Sequence, residues 1–319
     1  MFEPLIPKKF CREFVEAKES DSQLLMFMSV VLDQKPLMDD WVRPDRLPAF
    51  KDACKKYGLQ LKEEALTLPV KKESLPDDIP GKDSLTSTIA FGFPPGTDVP
   101  GASVHVFISK DPELLKHGMW YPLIIKKRIF WPPQADIYEY GKILGYPDCC
   151  IEFFRRKNDW VKYSFLSEIK KATSGIPRWQ ANTLLKDRGY SLTYHMPCRF
   201  DCPATIKQAE DLLEFLRKNE PHIAGTLEKH LKLPILVLYE KKLFAFDGKI
   251  TGNRIEYTGV YPGTLEIEDS PILKILESGN IVILEGQNIF VYRGKNKIGE
   301  LPVSAGGFAP EEPFIIQFQ

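Results

Sequence analysis

The sequence has no excess of charge of either sign and no long apolar run. Its 43 lysines and arginines balance its 43 aspartates and glutamates over 319 residues. A net charge of zero gives no indication of a nucleic-acid or anionic-membrane partner, so RNA binding is possible but is not supported by charge. The longest apolar stretches, such as LLMFMSVVL at residues 24–32, are too short to span a bilayer, and we expect no membrane-spanning segment.

Several targeting and catalytic motifs are also missing. The first residues, MFEPLIPKKFCREF, place prolines and charges where a secretory signal needs an apolar run, so we expect a cytoplasmic protein. The sequence contains no G-x-x-x-x-G-K-[ST], no strand-linked G-x-G-x-x-G, no H-E-x-x-H and no G-x-S-x-G. It therefore gives no motif-based support to the nucleotide-binding, zinc-protease or serine-hydrolase classes.

Cysteines are few, but most of them are clustered. Four of the six lie in two short stretches, GYPDCC at residues 145–150 and HMPCRFDC at residues 195–202. A reducing cytoplasm disfavours structural disulfides, so cysteines clustered in this way indicate metal binding or thiol chemistry. Cys11 and Cys54 each stand alone on a predicted helix face, and we expect them to be small buried core residues.

The pattern of the chain predicts an α+β fold. Residues 1–66 are predicted to be helical, residues 87–93 and 103–109 to be strands, and residues 121–130 to be a possible third strand of a small sheet. The polar, proline-rich stretch at residues 69–84 is predicted to be a loop or linker. The region 133–218 is predicted to be mostly helical and to contain both cysteine stretches.

The character of the sequence changes after residue 232. Short apolar segments such as PILVLYE, KLFAFDG, NIVILEG and NIFVYRG alternate with turn sequences, which predicts a small antiparallel β-domain, a sandwich or a partly closed barrel. Within it, Ser270 and Pro271 are placed to start one short helix. We therefore predict two domains, a mixed cysteine-motif domain at 1–232 and a β-domain at 233–319.

The first cysteine stretch is predicted to lie where one helix ends and another begins. Gly145 can cap the first helix, and Pro147 prevents its continuation. Asp148 is expected to be the N-cap of the next helix. That arrangement places Cys149 and Cys150 in the first turn of the second helix.

The second stretch has the same character. Pro203 fits the first position of a helix, and Cys202 comes just before it. Unpaired N–H groups and the helix dipole stabilise negative charge at such a place. Both cysteine pairs are therefore expected at sites that favour the thiolate form.

The four clustered cysteines allow several interpretations. Cys198 and Cys202 have a spacing that is common in zinc sites, although adjacent cysteines are less usual there because neighbouring side chains tend to diverge. An iron–sulfur cluster takes four thiolates, and its separated irons accommodate the adjacent Cys149 and Cys150 more easily. Metal-free dithiol chemistry and simple burial in a core are the remaining interpretations. We expect a metal–thiolate site, with an iron–sulfur cluster or zinc as the cofactor.

Two further residues are candidates for chemistry. His195 lies three residues before Cys198, at the end of the apparent strand YSLTYH, and could be a ligand or an acid–base group. Asp201 lies inside the C-x3-C loop and could be a cap, a partner of a ligand or a proton carrier. We predict His195 and Asp201 as the catalytic pair if the protein is an enzyme.

About 90 residues around these two elements resemble an uncharacterised, chiefly archaeal domain-of-unknown-function family. The hallmark of that family is a G-Y-P-x-C-C element followed by an H-x-P-C-x-x-x-C element. The match is carried by Gly145, Tyr146, Pro147, Cys149, Cys150, His195, Pro197, Cys198 and Cys202. This resemblance implies no activity.

The cysteine pattern is also faintly similar to heterodisulfide-reductase-type cluster domains, which use a Cys–Cys pair and a later C-x-x-C. This chain departs from that pattern. Its later spacing is C-x3-C, and an upstream cysteine is missing unless Cys54 serves. The similarity suggests cluster chemistry only.

These observations lead to a functional expectation with two alternatives. We expect a cytoplasmic metal–thiolate protein, an enzyme with redox or sulfur-transfer chemistry on a small molecule or a modified nucleotide. One alternative is a non-catalytic structural-zinc protein that binds RNA or a protein partner. The other is a metal-free dithiol oxidoreductase.

Overall fold

The computed structural model describes residues 2–70, 89–94, 97–116, 123–125, 128–130, 137–157, 164–239, 242–264, 267–268, 270–301 and 312–319. These residues form helices and two β-sheets, which confirms the α+β class. The chain divides into two compact units, a first unit of Ile6–Ile151 and a second unit of Met1–Leu5 with Glu152–Gln319. This division differs from the predicted domains 1–232 and 233–319, which remain a prediction.

Among its described residues, the first unit contains four complete helices: α1 (Arg12–Lys18), α2 (Leu24–Val31), α3 (Leu47–Lys56) and α4 (Ile137–Ile143). Three buried rings pack α1, α2 and α3 together, since the Phe14 ring centroid lies 4.4 Å from that of Phe27 and 5.5 Å from that of Phe50. Cys11 and Cys54 are buried in this unit. Burial raises the pKa of the Cys54 thiol to about 12, as expected for an inert core cysteine.

In the described part of the first unit, the sheet has six strands: β1 (Leu37–Val42), β2 (Gln60–Val70), β3 (Ile89–Phe93), β4 (Ser103–Ser109), β5 (Leu123–Ile125) and β6 (Arg128–Phe130). Their order is β1-β4-β2-β3-β5-β6, and all pairs are antiparallel except β3 with β5. The strand predicted at 103–109 is found as β4. The candidate at 121–130 contains two short strands among its described residues.

The prediction that residues 1–66 are helical is wrong at two places. β1 pairs along its length with β4, and β2 pairs with both β3 and β4. Partners 19 or more residues away decide these strands, and local patterns do not record such pairing. The predicted loop at 69–84 begins inside β2, and the rest of it lies outside the described residues.

The second unit contains α6 (Phe165–Ala172), α7 (Pro203–Asn219), α8 (Pro221–Leu231) and α9 (Pro271–Ser278). The boundary between the two units falls within the continuous helix α5 (Asp148–Lys157). α7 buries Leu212, Leu213 and Leu216 on one face. Among the described residues, no helix combines the length and the apolar character that crossing a bilayer requires.

The described residues of the second unit form a sheet of seven strands: β7 (Ile235–Tyr239), β8 (Lys242–Thr251), β9 (Arg254–Pro262), β10 (Ile281–Glu285), β11 (Asn288–Arg293), β12 (Asn296–Leu301) and β13 (Phe314–Ile316). They form one antiparallel sheet in the order β12-β11-β10-β9-β8-β7-β13. α9 packs on this sheet through Ile272, Leu273 and Leu276. The Ser270 hydroxyl accepts a hydrogen bond from the Leu273 N–H, so the predicted cap is confirmed.

Candidate metal centre

A glycine turn joins α4 to α5. Gly145 has φ +74°, a left-handed conformation that favours glycine. Its N–H donates to the Lys142 carbonyl, and the Tyr146 N–H donates to the Gly141 carbonyl, both at 2.9 Å. These two bonds define a Schellman motif, so the sequence correctly identified Gly145 as the cap of α4.

The first turn of α5 carries the adjacent cysteines, as predicted. The Pro147 carbonyl accepts hydrogen bonds from the N–H groups of Cys150 and Ile151 at 2.9 and 3.0 Å, so helical bonding starts at Pro147. Asp148 was expected to be the N-cap, but it is the first residue of α5. Its carboxylate binds Lys142 at 2.7 Å on the surface instead of capping the helix.

The second cysteine element ends at the start of α7. Cys202 occupies the N-cap position with Pro203 in the first turn, as predicted. Its N–H donates to the Arg199 carbonyl at 3.2 Å, and its carbonyl accepts from the Ile206 N–H at 3.0 Å. The C-x3-C segment is therefore a tight turn that leads directly into α7.

A neighbouring segment, residues 173–178, supports this turn from outside. The Phe200 N–H donates to the Thr173 hydroxyl at 2.9 Å, and the Phe200 carbonyl accepts from the Arg178 N–H at 2.9 Å. The Gly175 N–H donates to Asp201 Oδ2 at 2.8 Å, and a Cβ at Gly175 would lie 2.7 Å from that oxygen. Sequence reasoning missed this support, although the glycine in TSGIP was a local signal of a close approach.

The structure brings the four clustered cysteines together. The Sγ atoms of Cys149, Cys150, Cys198 and Cys202 all lie within 4.8 Å of one another. Those of the adjacent Cys149 and Cys150 are 3.9 Å apart, so the two neighbouring side chains converge in this turn. Cys150 and Cys202 are buried, Cys198 is half-buried and Cys149 is exposed. None of the four is part of a disulfide, and this set of soft donors could hold a metal ion.

His195 is buried next to α7, not placed in a strand. The expected strand YSLTYH is irregular backbone in the structure, and none of the described strands pairs with it. His195 Nε2 lies 2.9 Å from Thr205 Oγ1, and Thr205 is fully buried in the first turn of α7. The described contact therefore joins the histidine to α7, and its catalytic role remains a prediction.

Asp201 is engaged by the backbone and by a neighbouring arginine. Besides the bond from Gly175, its Oδ1 lies 3.4 Å from Arg199 Nε. These contacts match the role of a cap that shapes the C-x3-C turn. The predicted role of Asp201 as a proton carrier remains a prediction.

Charged residues along α5 pair with one another. Glu152 binds Arg155 at 2.9 Å and lies 3.6 Å from Arg156, and all three side chains are at least a third exposed. Exposed pairs of this kind contribute little to stability. They form a solvated helix face.

Comparisons of the chain with protein-family models, with curated proteins and with solved structures find no match.

Proposed function

We propose that the four cysteines bind one zinc ion in a tetrahedral site, and that the ion has a structural role. In this proposal the metal holds the first turn of α5 beside the turn that precedes α7. The observation that carries the proposal is the mutual distance of the four sulfur atoms, all within 4.8 Å.

The distances favour one metal ion over a cluster of several. With a zinc–sulfur bond of about 2.3 Å, the sulfurs of a regular tetrahedron are about 3.8 Å apart. The Cys149 to Cys150 separation of 3.9 Å matches that edge. Thiolates that bind different irons of an iron–sulfur cluster must lie further apart, because the irons themselves are separated. The compact set of sulfurs therefore supports a mononuclear centre.

The donor set supports a structural role. Four thiolates complete a tetrahedral coordination sphere, whereas catalytic zinc keeps one position for water or substrate. The two acid–base candidates have other partners, since His195 contacts Thr205 and Asp201 contacts Gly175. Both contacts are formed within the protein, without a substrate, and are therefore compatible with a structural site.

The surrounding backbone favours the anionic form of the ligands. Cys149 and Cys150 lie in the first turn of the ten-residue helix α5, and Cys202 lies at the N-cap of the seventeen-residue helix α7. Four thiolates and one divalent cation leave a net negative charge on the centre. The positive ends of two helix dipoles offset part of that charge.

A second candidate is a single iron in the same site with a redox function. A tetrahedral set of four thiolates suits iron as well as zinc. The exposed Cys149 would place one ligand at the surface, where an electron could pass to a partner. This candidate preserves the redox chemistry expected from the sequence and requires no change of ligands.

Elemental analysis of the protein purified without added metal tests both candidates. We expect one zinc per chain and no colour. In Cys150→Ser and Cys198→Ser we expect the bound metal to fall at least several-fold, because an alcohol replaces one thiolate of a closed site.

Cys11→Ser and Cys54→Ser are the matched controls, since both cysteines are buried and lie outside the cluster. These variants should keep the wild-type metal content. One iron with visible absorption would support the redox candidate, and several irons with acid-labile sulfide would contradict a mononuclear site. Full metal content in both cluster variants would overturn the assignment of the ligands.

A further inference from the structure

A buried lysine contacts the turn that leads into the adjacent cysteines. Lys35 lies on the connection between α2 and β1 and is only 8% exposed. Its amine donates a hydrogen bond to the Leu144 carbonyl. The same amine lies 4.5 Å from the centre of the Tyr146 ring, a distance typical of a cation–π contact.

The Leu144 carbonyl is a group that needs a partner from outside the helix. The Schellman motif satisfies the carbonyls of Gly141 and Lys142 at the end of α4. The carbonyls that follow, including that of Leu144, find no N–H donor within the helix. Lys35 supplies a donor to Leu144, and its protonated form also places a positive charge where the helix dipole is negative.

The connection that carries Lys35 is itself fixed. The Lys35 N–H donates to the Ser29 carbonyl at 3.1 Å, and the Pro36 carbonyl accepts from the Ser109 hydroxyl at 2.7 Å. Pro36 also packs against the turn, since a Cβ at Gly145 would lie 2.6 Å from Pro36 Cδ. Lys35 and Pro36 therefore contact three consecutive residues of the turn, 144–146.

Burying a lysine has a cost that an apolar residue would avoid. Burial lowers the pKa of Lys35 to about 7, although the carboxylate of Asp39 opposes the shift. A long apolar side chain in the same place would carry no such penalty. The presence of an amine is explained by the contacts that it makes with Leu144 and Tyr146.

We propose that Lys35 is a positioning residue of the metal centre. It fixes the turn Leu144–Tyr146, and this turn sets the point at which Pro147 starts the helix that carries Cys149 and Cys150. The inference rests on the proposed metal-binding function and extends it to a residue more than 100 positions before the ligands. Groups that hydrogen-bond directly to metal ligands typically contribute 10- to 100-fold in affinity, and Lys35 acts one step further from the ligands.

The test replaces the lysine and measures the metal site itself. We expect Lys35→Met to lower the zinc affinity, measured by competition with a chromophoric chelator, by up to about 10-fold, the lower end of the range for direct partners of the ligands. We also expect the absorption spectrum of the cobalt-substituted protein to change, because the ligand geometry changes. Lys35→Arg keeps a charged donor and should keep more of the affinity than Lys35→Met.

Lys18→Met is the matched control. Lys18 is a half-buried lysine of the first unit, and its amine binds the buried carboxylate of Asp40 at 2.6 Å. Its loss should lower the unfolding midpoint without altering the cobalt spectrum. Equal losses of zinc affinity in Lys18→Met and Lys35→Met would reduce Lys35 to a general stabiliser and overturn the proposal.

The outcomes separate this proposal from the proposed function. A wild-type protein that binds neither zinc nor cobalt contradicts both. A wild-type protein that binds metal, with an unchanged affinity and spectrum in Lys35→Met, contradicts the role of Lys35 alone. If Lys35→Met fails to fold, the uncharged and shorter Lys35→Gln replaces it, with the same two measurements and the same two outcomes.

Discussion

Lys35 shows how burial changes the acid–base behaviour of a single side chain. Its pKa of about 7 in the folded protein lies below the ordinary value of 10.5, chiefly because burial disfavours the charged amine. The groups around it are the Leu144 carbonyl, the Tyr146 ring and, at longer range, the carboxylate of Asp39. Asp39 in turn lies 3.2 Å from His105.

This shift predicts how the stability of the protein depends on pH. Below about pH 7 the amine is protonated in both the folded and unfolded states, so the full cost of burying a charge is present. Between about pH 7 and 10.5 the folded protein has released that proton and the unfolded chain keeps it. The contribution of Lys35 to the free energy of unfolding therefore rises with pH across this window.

Urea denaturation of the wild type and of Lys35→Met at pH 6.5 and pH 9.5 measures this effect. The wild type should gain stability relative to the variant as the pH rises, and Lys110→Met should show no such trend because Lys110 is a more exposed lysine paired with Asp33. A constant difference between the wild type and Lys35→Met would show that the pKa of Lys35 is not lowered.

At the scale of residues, the sequence predicted the ligands better than their supports. The four cysteines were identifiable because two pairs with helix-start signals are a local pattern. Lys35, Thr173 and Gly175 were missed because their roles depend on contacts with distant parts of the chain. The Asp148 cap was wrong because Lys142, on the preceding helix, competes for the carboxylate.

At the scale of elements, the approach of α4 to α5 depends on one glycine. A Cβ at Gly141 would lie 2.7 Å from Ile151 Cγ1 and 2.9 Å from its Cδ1. Ile151 is buried and directly follows the two cysteines of α5. Any residue larger than glycine at position 141 must therefore push α5 or its isoleucine aside.

Gly141→Ala and Gly225→Ala form a matched pair of helix substitutions. Alanine favours a helix over glycine by about 1 kcal/mol, and a Cβ at Gly225 in α8 would meet nothing within 4 Å. Chemical denaturation should therefore show Gly225→Ala as neutral or stabilising and Gly141→Ala as destabilising by about 1–3 kcal/mol. If Gly141→Ala were as stable as Gly225→Ala, the close packing of α4 on α5 would be contradicted.

The elements themselves were predictable where the local pattern is complete. β4 has the predicted bounds, because the alternation of apolar residues is a local signal. α9 has the predicted cap, because a Ser-Pro start is a local signal as well. β1 and β2 were assigned to helices because only their pairing with β3 and β4 makes them strands. The same reason explains the irregular backbone found in place of the expected strand before His195.

At the scale of the whole molecule, the proposed metal makes the stability of the fold depend on whether the metal centre is occupied. A ligand that binds only the folded state raises the free energy of unfolding, by about 4 kcal/mol when its concentration is 1,000 times the dissociation constant. Removal of zinc by a strong chelator should therefore lower the thermal unfolding midpoint by several degrees. Calorimetry with and without the chelator measures the shift.

Cys198→Ser supplies the reference for this measurement. Its unfolding midpoint should be low already and should not change when chelator is added, whereas Cys54→Ser should respond to the chelator as the wild type does. A wild type whose midpoint is insensitive to chelation would contradict a structural metal.

The overall α+β class was predictable from composition and periodicity, but the arrangement of the chain into units was not apparent from them. Phe2 belongs to the second unit, where its ring lies 5.0 Å from that of Tyr190 and 5.4 Å from that of His230. The Glu3 N–H donates to the Tyr190 hydroxyl across 187 residues of sequence. Such contacts leave no local pattern.

The second unit consists of two separate parts of the chain, Met1–Leu5 and Glu152–Gln319, and this discontinuity has a consequence for biosynthesis. The segment around Glu3 leaves the ribosome well before its partner Tyr190, which is 187 residues further along the chain. At 5–20 residues per second, the interval is roughly 10–40 s. During that interval all of the residues Ile6–Ile151 are synthesised. The first unit can therefore fold before the residues of the second unit that contact the N-terminal segment have been made.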